Sequence, residues 1–229
     1  MKWVAILAMA VAMVSQASLG ADPGVSTPPT TVGAEGKAST PPDAVTVAKQ
    51  LCQRGCPEEA AKVLEAAVAG DPLDVAALEL LVRTRQELAE SLSAGGNLSA
   101  AGDQLHRALA AARACQDCAL SDGTTDMGLL DKIRALRQSS QAAVERHVRL
   151  VVRQARGSYY EGKGIIDDDE EKFIEALVLL DGVKGLLEDV PLELRQSFAE
   201  VWWKCYLELG SADIAQYKAR TYCANGTQQ

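Results

Sequence analysis

The sequence predicts an all-α fold. Three observations carry that prediction. After Asp43, apolar residues recur at spacings of three and four almost without interruption, and no segment alternates apolar and polar residues between turn signals. The prolines beyond that point, Pro57, Pro72 and Pro191, each stand where the periodicity pauses. Proline has no N–H to donate and clashes with the preceding turn inside a helix, but it suits a first turn, so each one marks an element boundary.

The chain opens with one cation, Lys2, then the uncharged apolar run Val4 to Val14 and small residues around Ala17, Ser18 and Gly20. That pattern predicts a secretory signal over 1–20, cut after Ala17 or Gly20. An apolar run of about eleven residues falls well short of the roughly 20 that a spanning helix needs. From 21 to 43 the composition turns to Pro, Gly, Ser and Thr. This stretch lacks the apolar surface that would offset a backbone ordering cost of about 1–2 kcal/mol per residue, so it is expected to be a tether. The folded domain is then expected over 44–224, with a short tail at 225–229.

Within the domain the spacing predicts helices at about 43–54, 57–69, 74–92, 98–116, 127–160, 168–189, 192–209 and 212–223. Pro57 starts the second. In the third, Val75, Leu78, Leu81, Val82, Leu88 and Leu92 form one stripe, which Ser93-Ala94-Gly95-Gly96-Asn97 interrupts. The fourth turns Leu98, Ala101, Leu105, Leu109 and Ala112 inward. In the seventh, Leu194, Phe198, Val201, Trp202, Cys205 and Leu209 repeat the design. Short turns between neighbouring helices favour antiparallel hairpins.

Between Pro41 and Asp74, Ala60, Leu64, Ala67 and Pro72 fall at offsets of four, seven and twelve, behind an apolar segment and a Gly55-Cys56-Pro57 turn. This unit resembles the second helix of a tetratricopeptide repeat. The triplets Ala101, Leu105, Ala108 and Ala176, Leu180, Val183 repeat the spacing, and Ala215, Ala219, Tyr222 do so loosely. The resemblance implies stacked helical hairpins in a short superhelix, whose first helices build a concave face for a protein or peptide.

Cys52, Cys56, Cys115, Cys118, Cys205 and Cys223 are even in number, and in an exported chain that favours disulfides. Up-and-down helices place the first two cysteines and the second two at opposite ends. Local bridges Cys52–Cys56 and Cys115–Cys118 are therefore expected, with Cys205–Cys223 left by elimination. Cys115-Gln116-Asp117-Cys118 also has the spacing of a redox pair. It closes a helix at its negative end beside Asp117 and Asp122, where a thiolate gains no stabilisation. A four-sulfur zinc site would need the two pairs to meet, which the hairpin topology disfavours.

Of the two histidines, His147 lies on the apolar stripe Leu129, Ile133, Leu136, Ala143, Val144, Val151 and is expected to pack inside, while His106 is expected at the surface. Neither has the neighbours of a catalytic triad. Asp167 to Glu171 reads as a helix-capping run, because acids in a first turn complement the helix dipole. Asn97-Leu98-Ser99 and Asn225-Gly226-Thr227 fit the glycosylation pattern. Arg146, Arg149, Arg153 and Arg156 share one face of the long fifth helix, in a chain with a formal net charge of −8. They read either as a solvated face paired internally, for example Arg156 with Glu175, or as a groove for an acidic peptide or polysaccharide.

The net charge disfavours nucleic acid and anionic membranes as partners. The sequence thus predicts an exported, periplasmic or extracellular, non-enzymatic scaffold with no cofactor and no metal, binding a protein or peptide partner. Two other expectations stand beside it: a thiol-disulfide protein using Cys115 and Cys118, and a helical module that dimerises through Trp202, Trp203 and Tyr206.

Overall fold

A computed structural model describes residues 43–123, 126–164 and 169–210. The expected signal, most of the tether, the last predicted helix, Cys223 and Asn225 lie outside the described residues. Among the described residues seven α-helices follow in order: α1 (Ala44–Gln53), α2 (Pro57–Gly70), α3 (Val75–Ala94), α4 (Leu98–Ser121), α5 (Met127–Gly162), α6 (Glu170–Asp181) and α7 (Leu192–Glu208). A 3-10 turn over Lys184–Asp189 precedes α7. There is no strand among the described residues, and none of the helices is long and apolar enough to cross a membrane.

Local chemistry sets the boundaries. Pro57 occupies the first turn of α2, and Gly55 turns the chain into it at φ 77°. Gly96, at φ 79°, does the same between α3 and α4; a side chain would strain both positions. Short polar side chains accept the orphan N–H groups at four helix starts. Asp74 bonds Ala77 N at 3.0 Å, Asn97 bonds Ala100 N at 3.2 Å, Asp126 bonds Gly128 N at 2.9 Å, and Asp169 bonds Glu171 N at 3.0 Å. Asp169 with Glu170 and Glu171 is thus a cap, and Asp167 and Asp168 fall outside the described residues.

Two expectations need correction. The helix expected over 168–189 breaks after Asp181, with Gly182 as its C-cap. A Cβ on Gly182 would meet Ser99 Cβ at 3.2 Å, so a bare backbone lets the end of α6 close on the start of α4. And α4 does not end near residue 116. It runs to Ser121, so Cys118 as well as Cys115 lies inside its last turns.

Each helix packs on the next, as antiparallel neighbours joined by short turns do. In addition α1 touches α3, α3 touches α5, and α5 touches α7. The odd-numbered helices therefore form one layer, with α2, α4 and α6 packed against them. Two apolar cores fill the space between. One gathers Ala48, Leu64, Leu78, Leu81, Cys115 and Ile133. The other gathers Leu105, Leu109, Val148, Val151, Phe173, Leu180, Phe198 and Trp202.

Candidate functional site

The longest helix, α5, lies in the odd-numbered layer between α3 and α7 and turns its outer side to solvent. Val144, Val148, Val151 and Ala155 are fully buried. At 100° per residue this leaves Arg146, Arg149, Arg153 and Arg156 on the opposite side. Arg149 has Glu145 at 3.8 Å one turn back, and Arg156 has Glu200 of α7 at 3.4 Å. The expected pairing of Arg156 with Glu175 does not form. Glu175 is taken by Lys172 at 2.9 Å, three residues before it on α6, a spacing at which helical side chains meet. Arg146 and Arg153 have no ion partner among the described residues.

This arginine ridge is flanked by clefts. Toward α7, a shallow cleft of about 160 Å³ is lined by Arg149, Val152, Arg153, Arg156, Leu194 and Ser197. Toward α3, a cleft of about 270 Å³ is lined by Gln86, Ala89, Glu90 and Ser93 of α3 and by Ala143, Arg146, His147 and Leu150 of α5. Leu105 of α4 shows through the gap as its floor. Ser93 also lines a neighbouring, more polar cleft of about 460 Å³ that continues past Gln154 and Ser158 to Glu161 and Glu175.

His147 is buried in the wall of the α3–α5 cleft, as its place on the apolar stripe predicts. Its Nε2 lies 2.9 Å from the Leu98 carbonyl oxygen, which can only accept, so Nε2 carries the hydrogen. Burial lowers its pKa below the ordinary 6.5, and the bond to Leu98 opposes that shift without cancelling it. Gly102 of α4 makes room for the ring; a Cβ there would meet His147 Nε2 at 3.3 Å and Leu186 Cδ1 at 3.2 Å. His106 is half exposed, with Nδ1 3.7 Å from Asp189 Oδ2.

Two polar groups that the sequence does not announce stand beside this face. Arg85, only 3% exposed, donates to Gln104 of α4 and Glu65 of α2, tying three helices together. The buried Nε2 of Gln86 has no hydrogen-bond partner among the described residues. Both lie on a helix whose periodicity reads only as core and surface. What they do depends on α2, α4 and α5 arriving alongside, and no spacing within α3 encodes that.

The five described cysteines stand as free thiols in this structure, with the local pairs expected at Cys52–Cys56 and Cys115–Cys118 each turned toward other groups. Cys52 Sγ faces Thr84 Oγ1 of α3 at 3.9 Å, whereas Cys56 Sγ faces the Arg54 carbonyl oxygen at 3.9 Å. Cys115 and Cys118 are three apart on an unbroken helix. Cβ atoms at that spacing lie about 5–6 Å apart, against roughly 3.5–4.5 Å for a bridge. Burial pushes the Cys115 thiol up to about 11, with Cys118 adding to the shift. That is the opposite of what a reactive thiolate needs. Burial likewise raises Cys205 to about 11.

Among the described residues, no three His, Cys, Asp or Glu side chains converge as a metal-ligand set. Trp202, at 2% exposed, packs against Tyr206 with ring centroids 4.1 Å apart and belongs to the core, while Trp203 and Tyr206 are half-buried. Compared with known proteins, the chain matches no family model, no curated protein and no solved structure.

Proposed function

We propose that this chain is a non-enzymatic scaffold, working outside the cytoplasm, whose odd-numbered helices hold an acidic protein or peptide in the manner of tetratricopeptide-like hairpins. The observation that carries this reading is the ridge of Arg146, Arg149, Arg153 and Arg156 on the outer side of α5, bordered by clefts on both flanks. In a chain of net charge −8 these four cations are a local exception, and Arg146 and Arg153 have no ion partner among the described residues. Complementary charge of this kind steers association and fixes which partner is accepted. The leader-like first 20 residues support export.

The test is fluorescence anisotropy of a labelled glutamate-rich peptide against the full chain and the double reversal Arg149→Glu/Arg153→Glu. Both side chains are exposed, so the variant keeps the core intact. The reversal is expected to weaken binding at least about tenfold, and added salt to weaken the unaltered chain's binding in the same direction. Equal affinity for the two proteins removes the ridge from the function.

A further inference from the structure

We propose that the α3–α5 cleft is a binding site for a small zwitterion, an α-amino acid with an apolar side chain. The site shares Arg146 with the ridge, but Arg149, Arg153 and Arg156 line the cleft on the other flank of α5, so the two readings can be tested apart.

Three features of one cleft converge on this ligand. The first is charge. Arg146 and Glu90 stand on facing helices at its mouth, and neither has an ion partner among the described residues. Opposite charges that line one opening without pairing to each other complement a molecule that carries both signs. A carboxylate matches the guanidinium fork in a way a neutral group cannot, and an ammonium matches Glu90. The second is the interior: Ala89, Leu105, Ala143 and Leu150 give it an apolar lining. The third is the orphaned Nε2 of Gln86, a buried donor with nothing to donate to. A buried donor without a partner is costly, and native structures tolerate few, so a turn of the Gln86 amide toward the cleft, where a ligand brings an acceptor, answers it.

Size fits the same class. At about 270 Å³ the cleft falls just under the roughly 300–1,000 Å³ typical of drug-sized ligands. A free amino acid with a branched aliphatic side chain suits it. In the arrangement these groups allow, the carboxylate lies between Arg146 and the Gln86 amide, the ammonium at Glu90, and the side chain over Leu105.

The probe is L-leucine, titrated into the full chain and followed by NMR. Leucinamide, which lacks the carboxylate, and 4-methylpentanoate, which lacks the amine, are run beside it. The ring signals of His147, in the cleft wall, and the side-chain amide of Gln86 report on the site; His106, outside it, is the internal control. Leucine at millimolar concentration is expected to shift the His147 and Gln86 signals and leave His106 in place. Each analogue is expected to bind at least about tenfold more weakly, as loss of one charged hydrogen-bonding group requires. Glu90→Gln and Arg146→Gln, both at exposed positions, are expected to weaken leucine about as much. Gln86→Met keeps the shape, removes the donor, and is expected to weaken leucine without changing the fold. No shift with leucine overturns the proposal. So do equal shifts at both histidines, equal binding of leucinamide, or unchanged affinity in Glu90→Gln. If Glu90→Gln loses leucine while the Arg149→Glu/Arg153→Glu protein still binds the glutamate-rich peptide, the zwitterion site stands and the ridge reading fails; the converse pattern separates them the other way.

Discussion

At His147 a single hydrogen bond to the Leu98 carbonyl fixes which ring nitrogen is protonated, and burial keeps the ring neutral. The folded-state pKa lies below the 6.5 of a free imidazole, so as pH falls the unfolded chain takes up the proton first. The contribution of His147 to stability is therefore complete above pH 6.5 and is lost as pH drops through 6.5 toward the folded value. Denaturant titrations between about pH 7 and pH 5 are expected to show stability falling with acidification, and His147→Gln to flatten that slope. An unchanged slope would assign the effect to other groups. His147 was legible from sequence because it falls on an apolar stripe of its own helix. Gln86 and Glu90 were not, because on α3 alone they are ordinary polar positions. They become part of a cleft only where α5 leaves a gap over Leu105.

At the scale of elements, the helix starts are the most legible feature. Asp74, Asn97, Asp126 and Asp169 each offer a short acceptor just ahead of an apolar run, and each is a cap. The break between α6 and the 3-10 turn was hidden, because the periodic pattern runs through Gly182 and only the approach of Ser99 reveals why it stops there. The 3-10 turn is itself anchored by charge. Asp189, nearly buried, has the Arg113 guanidinium of α4 at 2.6 Å and His106 at 3.7 Å. Removing one member of a buried pair leaves the other charge stranded, which costs about 3–5 kcal/mol when both are enclosed; Arg113 is partly solvated, which lowers that figure. Arg113→Met is expected to destabilise the fold by about 2 kcal/mol, read as a drop in the urea midpoint at unchanged slope. Arg113→Met/Asp189→Leu, which removes both charges, is expected to recover much of the loss. A double variant no better than the single one would mean that the pair is not what holds the turn.

Across the whole described fold, the question is whether two cores make two folding units. The one around Leu64, Leu78 and Leu81 is built largely on α2 and α3; the one around Phe173, Phe198 and Trp202 draws most on α5, with α4, α6 and α7 closing it. Three helices belong to both. From α3, Leu81 lies in the first core and Ala89 in the second; from α4, Cys115 and Leu109; from α5, Ile133 and Val148. An antiparallel α4 and α5 cannot lose one half without fraying the other, because the register of the pair is set along both lengths. The two cores are thus expected to unfold together, unlike a repeat array whose neighbours share only an interface. The check uses two probes on a chain carrying Trp3→Phe: tryptophan fluorescence, which then reports Trp202 and Trp203 beside the second core, and far-ultraviolet circular dichroism, which reports every helix. Their urea transitions are expected to coincide. Leu64→Ala, at a fully buried site in the first core, is expected to cost about 2–5 kcal/mol and to move both transitions by the same amount, although no tryptophan lies in that core. Separate shifts, with the fluorescence transition left in place, would show that α4 and α5 do not couple the two halves and that the chain unfolds hairpin by hairpin.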